Sequence, residues 1–84
     1  MSRFIVAHSV VFSEEQLKEL TKKPLPEGIT WIRTFCGFED SKSFCEWQAP
    51  SREAMEQVLR EANISYDAIY PVRLFDVPTA SLEP

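Results

Sequence analysis

The stretch "GITWIRTFCGFEDSKSFCEWQAP", residues Gly28 to Pro50, decides the fold. Two runs rich in β-branched and aromatic residues, "GITWIRTFCGF" and "SFCEWQAP", flank the polar residues Glu39-Asp40-Ser41-Lys42. Strand, turn and strand in that order read as a β-hairpin. With the turn centred on Asp40-Ser41, Cys36 opposes Cys45, Gly37 opposes Phe44, Phe35 opposes Glu46 and Thr34 opposes Trp47. Side chains alternate faces at period two. One face therefore collects Ile32, Thr34, Cys36, Phe38, Cys45, Trp47 and Ala49, and the other Arg33, Phe35, Phe44, Glu46 and Gln48. The first set is small and apolar and suits burial under helices; the second mixes rings with charge.

The flanking sequence supplies what covers the first face. Upstream, Arg3 to Phe12 is apolar and β-branched without a turn residue, which predicts a strand. Ser13-Glu14-Glu15-Gln16 then has the form of a capping box, with Leu17 and Leu20 as a short apolar stripe and Pro24 and Pro26 as stops. Downstream, Ser51 is placed as an N-cap for a helix over 52–62. Ala54, Met55, Val58, Leu59 and Ala62 share one face of that helix, and Asn63 is a left-handed stop. "AIYPVRLFDV" completes the set as a last strand, whose Pro71 argues for a sheet edge. Alternation carried into it sends Val72 and Leu74 to the covered face and Arg73 and Phe75 to the open one. The order β-α-β-β-α-β predicts an α+β, ferredoxin-like fold: a four-stranded antiparallel sheet with two helices on one face. Residues 1–77 form the single domain in this reading, and 78–84 a C-terminal tail without periodicity.

An 84-residue chain buries only about 60–65% of its unfolded surface. Association is a natural supplement, and the sheet side left uncovered would show Phe35, Phe44 and Phe75 beside Arg33, Glu46, Gln48 and Arg73. That mixture is too apolar for plain solvent and is the expected ligand or homodimer face. The net charge of −4 and the lack of any Lys/Arg run argue against nucleic acid as a partner. No stretch approaches the length of a membrane span. The opening residues do not read as a signal peptide, so a reducing cytoplasm is the expected compartment. Free thiols belong there. Cys36 and Cys45, nine residues apart, lie outside the short Cys-x-x-Cys metal and redox spacings. They read as cross-strand neighbours that pack a core.

Phe44-Cys45, Ala49-Pro50 and Arg60-Glu61-Ala62 carry a resemblance. Over residues 28–80 the chain resembles a family of small bacterial proteins of unknown function that includes an actinobacterial nickel-binding protein. The resemblance implies a ferredoxin-like α+β fold and a dimer of the dimeric α+β barrel type, formed through the open sheets. It also implies a histidine in the first strand, which His8 would answer, and two more flanking Arg-Glu-Ala. Leu59 and Asn63 stand at those two positions, and neither can replace imidazole at a nickel centre.

Three functions follow from these residues. The first is a non-enzymatic domain that binds a small-molecule ligand or a partner on its open face, with no cofactor. The second is a divalent-metal protein of the nickel type using His8 and Cys45, with further ligands shared across the dimer. The third, by fold analogy alone, is a small cofactor-free enzyme. His8 is the only histidine, and no carboxylate stands at a spacing that would orient it as a base. No Ser/His/Asp set and no glycine-rich phosphate loop accompany it.

Overall fold

The computed structural model describes residues 2–83. Its elements run β1 (Ser2–His8), α1 (Glu14–Thr21), β2 (Thr30–Gly37), β3 (Lys42–Ala49), α2 (Arg52–Glu61), β4 (Ala68–Val72), β5 (Phe75–Asp76) and β6 (Ser81–Leu82). The first four strands and the two helices obey the expected order of types, with β2, β3, β1 and β4 adjacent in that sequence across one antiparallel sheet. The protein is α+β.

The helix ends form as local chemistry dictates. Ser13 Oγ accepts from Gln16 N at 3.1 Å and Gln16 Oε1 accepts from Ser13 N at 2.8 Å, a complete capping box. Ser51 Oγ accepts from Ala54 N at the start of α2. The end of α2 is a Schellman motif: Asn63 takes a φ of 57°, its N–H donates to Arg60 O, and Ile64 N–H donates to Leu59 O at 2.9 Å. Met55, Val58 and Leu59 of α2 meet Phe4, Val6, Cys45, Trp47, Ala49 and Ile69 in the core.

Three expectations of register are corrected. The β2–β3 turn is a four-residue loop, Phe38 to Ser41, with Gly37 paired to Lys42. Partners are therefore displaced by two: Cys36 opposes Ser43, Thr34 opposes Cys45 and Phe35 opposes Phe44. A shift of two keeps every residue on its face, so the face assignment of β3 survives while the direct Cys36–Cys45 pairing does not. Ser41 closes the loop at a φ of 52°, a left-handed position that no glycine advertised.

The second correction is a β-bulge. Trp31 opposes Trp47, yet Arg33 opposes Glu46, so Ile32 is an extra residue in β2. Trp31, not Ile32, consequently shares the covered face, stacked on Trp47 with ring centroids 5.6 Å apart.

The third concerns the last strand. Val72 pairs with Arg3 and Tyr70 with Ile5, so Val72 and Tyr70 share the open face while Ile69 is buried. β4 stops at Val72, which leaves Arg73 outside the sheet and puts Phe75 in β5, paired with Leu82 of β6. Neither therefore stands on the open face where it was expected: Phe75 belongs to a separate two-stranded ribbon, and Arg73 lies in the link that leads to it. The stretch beyond residue 77 carries a strand of its own, and Glu83 N–H donates to Leu74 O at 2.8 Å.

Candidate functional site

Each side of the sheet presents a distinct arrangement. On the open side, Glu46 is only 7% exposed although it lies mid-strand on a face without helices. Arg33, directly opposite, donates from Nε to Glu46 Oε1 at 2.9 Å. Arg3 on β1 bonds the other carboxylate oxygen through Nη1 and reaches Glu83 Oε2 from Nη2 at 3.0 Å. The two arginines and two glutamates cancel in charge. Around them stand Phe35 (58% exposed), Phe44 (42%) and Tyr70 (54%). Gln48 is half-buried and opposes Arg3. The open side of the sheet thus carries Arg33, Phe35, Phe44, Glu46 and Gln48. Arg3, Tyr70 and Glu83 were missed. Arg3 was legible as a strand residue at the right parity, whereas the place of Glu83 depends on the β5–β6 ribbon, which has no periodic signal.

On the covered side, the sheet and the helices do not close on one another. A cavity of about 230 Å³ lies between them. Its floor is the covered face, with Trp31 and Trp47 at one end, Cys45 in the middle and His8 at the other end. Phe12, Leu17 and Leu20 come from α1 and its approach, Val58 and Leu59 from α2, and Ala62 from the C-cap of α2. No residue of α1 is fully buried: its apolar stripe roofs the chamber without filling it.

The polar atoms of this chamber are few. His8 is 2% exposed. Its Nδ1 lies 2.8 Å from Ser65 O. A carbonyl only accepts, so Nδ1 carries the proton and Nε2 the lone pair; among the described residues Nε2 has no partner. Trp31 Nε1 donates to Thr34 Oγ1 at 2.8 Å, and the Thr34 hydroxyl donates to Cys45 Sγ at 3.2 Å. Trp47 Nε1 is buried with no acceptor among the described residues. Both cysteines are free, Cys45 buried and Cys36 half-buried.

Burial pushes the Cys45 thiol above its ordinary value of 9.0; the Thr34 hydroxyl opposes the shift and the nearby Cys36 adds to it. A raised thiol pKa favours the folded state below the ordinary value. That contribution is lost as pH rises through the folded value, because the unfolded chain ionises first. Urea unfolding at pH 7 and pH 10 is expected to show a loss at the higher pH that Cys45→Val reduces. Ellman's reagent is expected to label Cys45 of the native protein much more slowly than that of the urea-unfolded chain. Labelling at equal rates would remove Cys45 from the interior.

The structure brings His8 and Cys45 together on the covered face, as diagonal neighbours across the β1–β3 ladder where Val6 opposes Cys45 and His8 opposes Ser43. It does not bring them to the open face, where ligands shared between two copies would have to stand. Among the described residues no three His, Cys, Asp or Glu side chains gather closely enough to hold a metal ion. Nor is any helix there long and apolar enough to cross a membrane.

The fold and its two faces define a class: a small α+β domain with an apolar chamber on one side of its sheet and a charge-balanced aromatic surface on the other. The family model of nickel-responsive SCO4226-like proteins matches residues 4–72, and the chain belongs to that family. No curated protein and no solved structure that was compared matches it. A nickel ion, which the family's description brings to mind, does not fit the donor set of one chain. Imidazole Nε2 and one thiol supply two ligands, and the rest of the chamber wall is chiefly hydrocarbon and indole.

Proposed function

We propose that this chain is a ferredoxin-like, non-enzymatic binding domain whose partner on the open face is a second copy of itself, in the cytoplasm of a bacterium. One observation carries the reading: Glu46 is already desolvated and paired with Arg3 and Arg33, while the rings around it stay in water. A surface whose central charges are neutralised within the chain loses little when water leaves it. Burying Phe35, Phe44 and Tyr70 is then a net gain. The strand order β2-β3-β1-β4 supports the ferredoxin-like arrangement, and two free thiols suit a reducing compartment.

Sedimentation velocity at tens of micromolar is expected to return a dimer for the unaltered chain and a monomer for Phe35→Glu, which sets a new carboxylate beside Phe44 and its symmetry mate. A monomeric unaltered chain at that concentration sinks the proposal.

The family's description favours a second reading, divalent-metal binding through His8 and Cys45. Protein purified without a histidine tag is expected to carry far less than one nickel per chain. A calorimetric titration that found sub-micromolar nickel affinity, lost in His8→Ala, would replace the first reading with the second.

A further inference from the structure

We propose that the chamber between the sheet and the helices is a binding site for a small, uncharged aromatic molecule bearing one hydrogen-bond donor, of the phenol or indole class. The site is on the opposite side of the sheet from the association surface and does not depend on it.

Size sets the first limit. An apolar cavity of about 150 Å³ takes up benzene. The chamber's volume of about 230 Å³ leaves room for a ring and a few further heavy atoms, and little more. The walls set the second limit. Trp31 and Trp47, stacked at an interplanar angle of 14°, make one end aromatic, and the α1 and α2 side chains make the roof aliphatic. The charged residues of the lining, Lys23 and Glu61, are both exposed, so a ligand charge carried down to the floor between His8 and Trp47 would lose its hydration without a counter-charge beside it.

Direction comes from His8. Its Nδ1–H is committed to the Ser65 carbonyl, and that bond fixes the ring with Nε2 as acceptor. No described residue donates to Nε2, so a ligand O–H or N–H at this end supplies a bond that the chain itself does not make. Along the floor, Trp47 opposes Phe4 and His8 opposes Ser43. The two ends are thus four residues apart, about 13 Å at roughly 3.3 Å per residue between backbones. Once the inward reach of both side chains is subtracted, that span accepts a ring with its donor on the far edge. Trp47 Nε1–H, buried without an acceptor, is a second polar atom of this wall that the described residues leave unsatisfied.

The probes are 4-ethylphenol and ethylbenzene, which share a skeleton and differ by the hydroxyl. The chain has two tryptophans, Trp31 and Trp47, and both line the chamber, so their indole N–H signals in a nitrogen-proton NMR spectrum report it directly. 4-Ethylphenol is expected to displace both signals saturably and to bind at least fivefold more tightly than ethylbenzene. His8→Phe is expected to abolish that preference. Ala62→Phe, which fills the roof from the C-cap of α2, is expected to remove saturable displacement by both probes while the spectrum stays dispersed. Absence of saturable displacement in the unaltered chain overturns the site. Equal affinity for the two probes overturns the ligand class, as does a preference that survives His8→Phe. If His8→Phe does not fold, the probe comparison on the unaltered chain and the Ala62→Phe variant still decide the question.

Discussion

Glu46→Ala is expected to cost the fold about 2–4 kcal/mol, near what removing one partner of a buried ion pair does elsewhere. Among the described residues, this carboxylate alone bonds two guanidinium groups at once. Without it, Arg3, whose side chain is 18% exposed, keeps its desolvation penalty and retains only Glu83. Arg33 behaves differently. Its side chain is 61% exposed, so it turns to water, and Arg33→Ala is expected to cost under about 1 kcal/mol. Replacing the whole set, as Arg3→Met with Glu46→Leu and Arg33→Met, is expected to bring stability back to within about 1 kcal/mol of the unaltered chain, because no charge is left uncompensated. Urea unfolding checks all three. A Glu46→Ala loss no greater than that of Arg33→Ala would mean that the network is surface-screened. The desolvation argument behind self-association would fall with it.

Met55→Ala is expected to remove about 2–5 kcal/mol. Met55 is 0% exposed and lies apart from the chamber, so the hole it leaves is new. For 84 residues the whole stability is on the order of 4–13 kcal/mol. The melting temperature should accordingly fall by at least about 10 °C. Leu59 is 1% exposed and borders the chamber. Leu59→Ala enlarges an existing space, and its cost is expected to be partly recovered by saturating 4-ethylphenol, whereas that of Met55→Ala is not. Equal recovery in both variants would place the ligand somewhere other than the chamber.

Much of this architecture was legible because it is written in local chemistry. Ser13 with Gln16, Ser51 with Ala54, and Asn63 after Ala62 each mark a helix end by hydrogen bonds made within a few residues. The apolar spacing of α2 named its buried face. What escaped was set at longer range. The hairpin pairing slipped by two because Phe38 and Glu39 both joined the loop, and nothing in the sequence of that turn distinguishes a four-residue loop from a two-residue one. The bulge at Ile32 is invisible to a period-two count, which assumes that no residue is extra. β4 follows α2 and pairs with the distant β1, with α1, β2, β3 and α2 between them in the chain, so no turn anchors its parity, and Val72 emerged on the opposite face. The metal reading rested on the family resemblance: His8 and Cys45 do meet, but under the helices and, among the described residues, without a third ligand. The chamber is the hardest feature to foresee, since a void is a property of how α1 sits and not of any residue in it.

The two borders of the sheet have a consequence for assembly. A free strand edge invites another strand, and such additions repeat without limit. Here one border, β2, is distorted by the extra Ile32, and the other, β4, carries Pro71, which has no N–H to offer. Fibre growth by edge addition is therefore obstructed at both ends of the sheet. What remains for association is the broad side, and a contact of two identical broad sides about a two-fold axis uses up the surface it needs. Concentrating this chain should produce a count that stops at two, not a polymer.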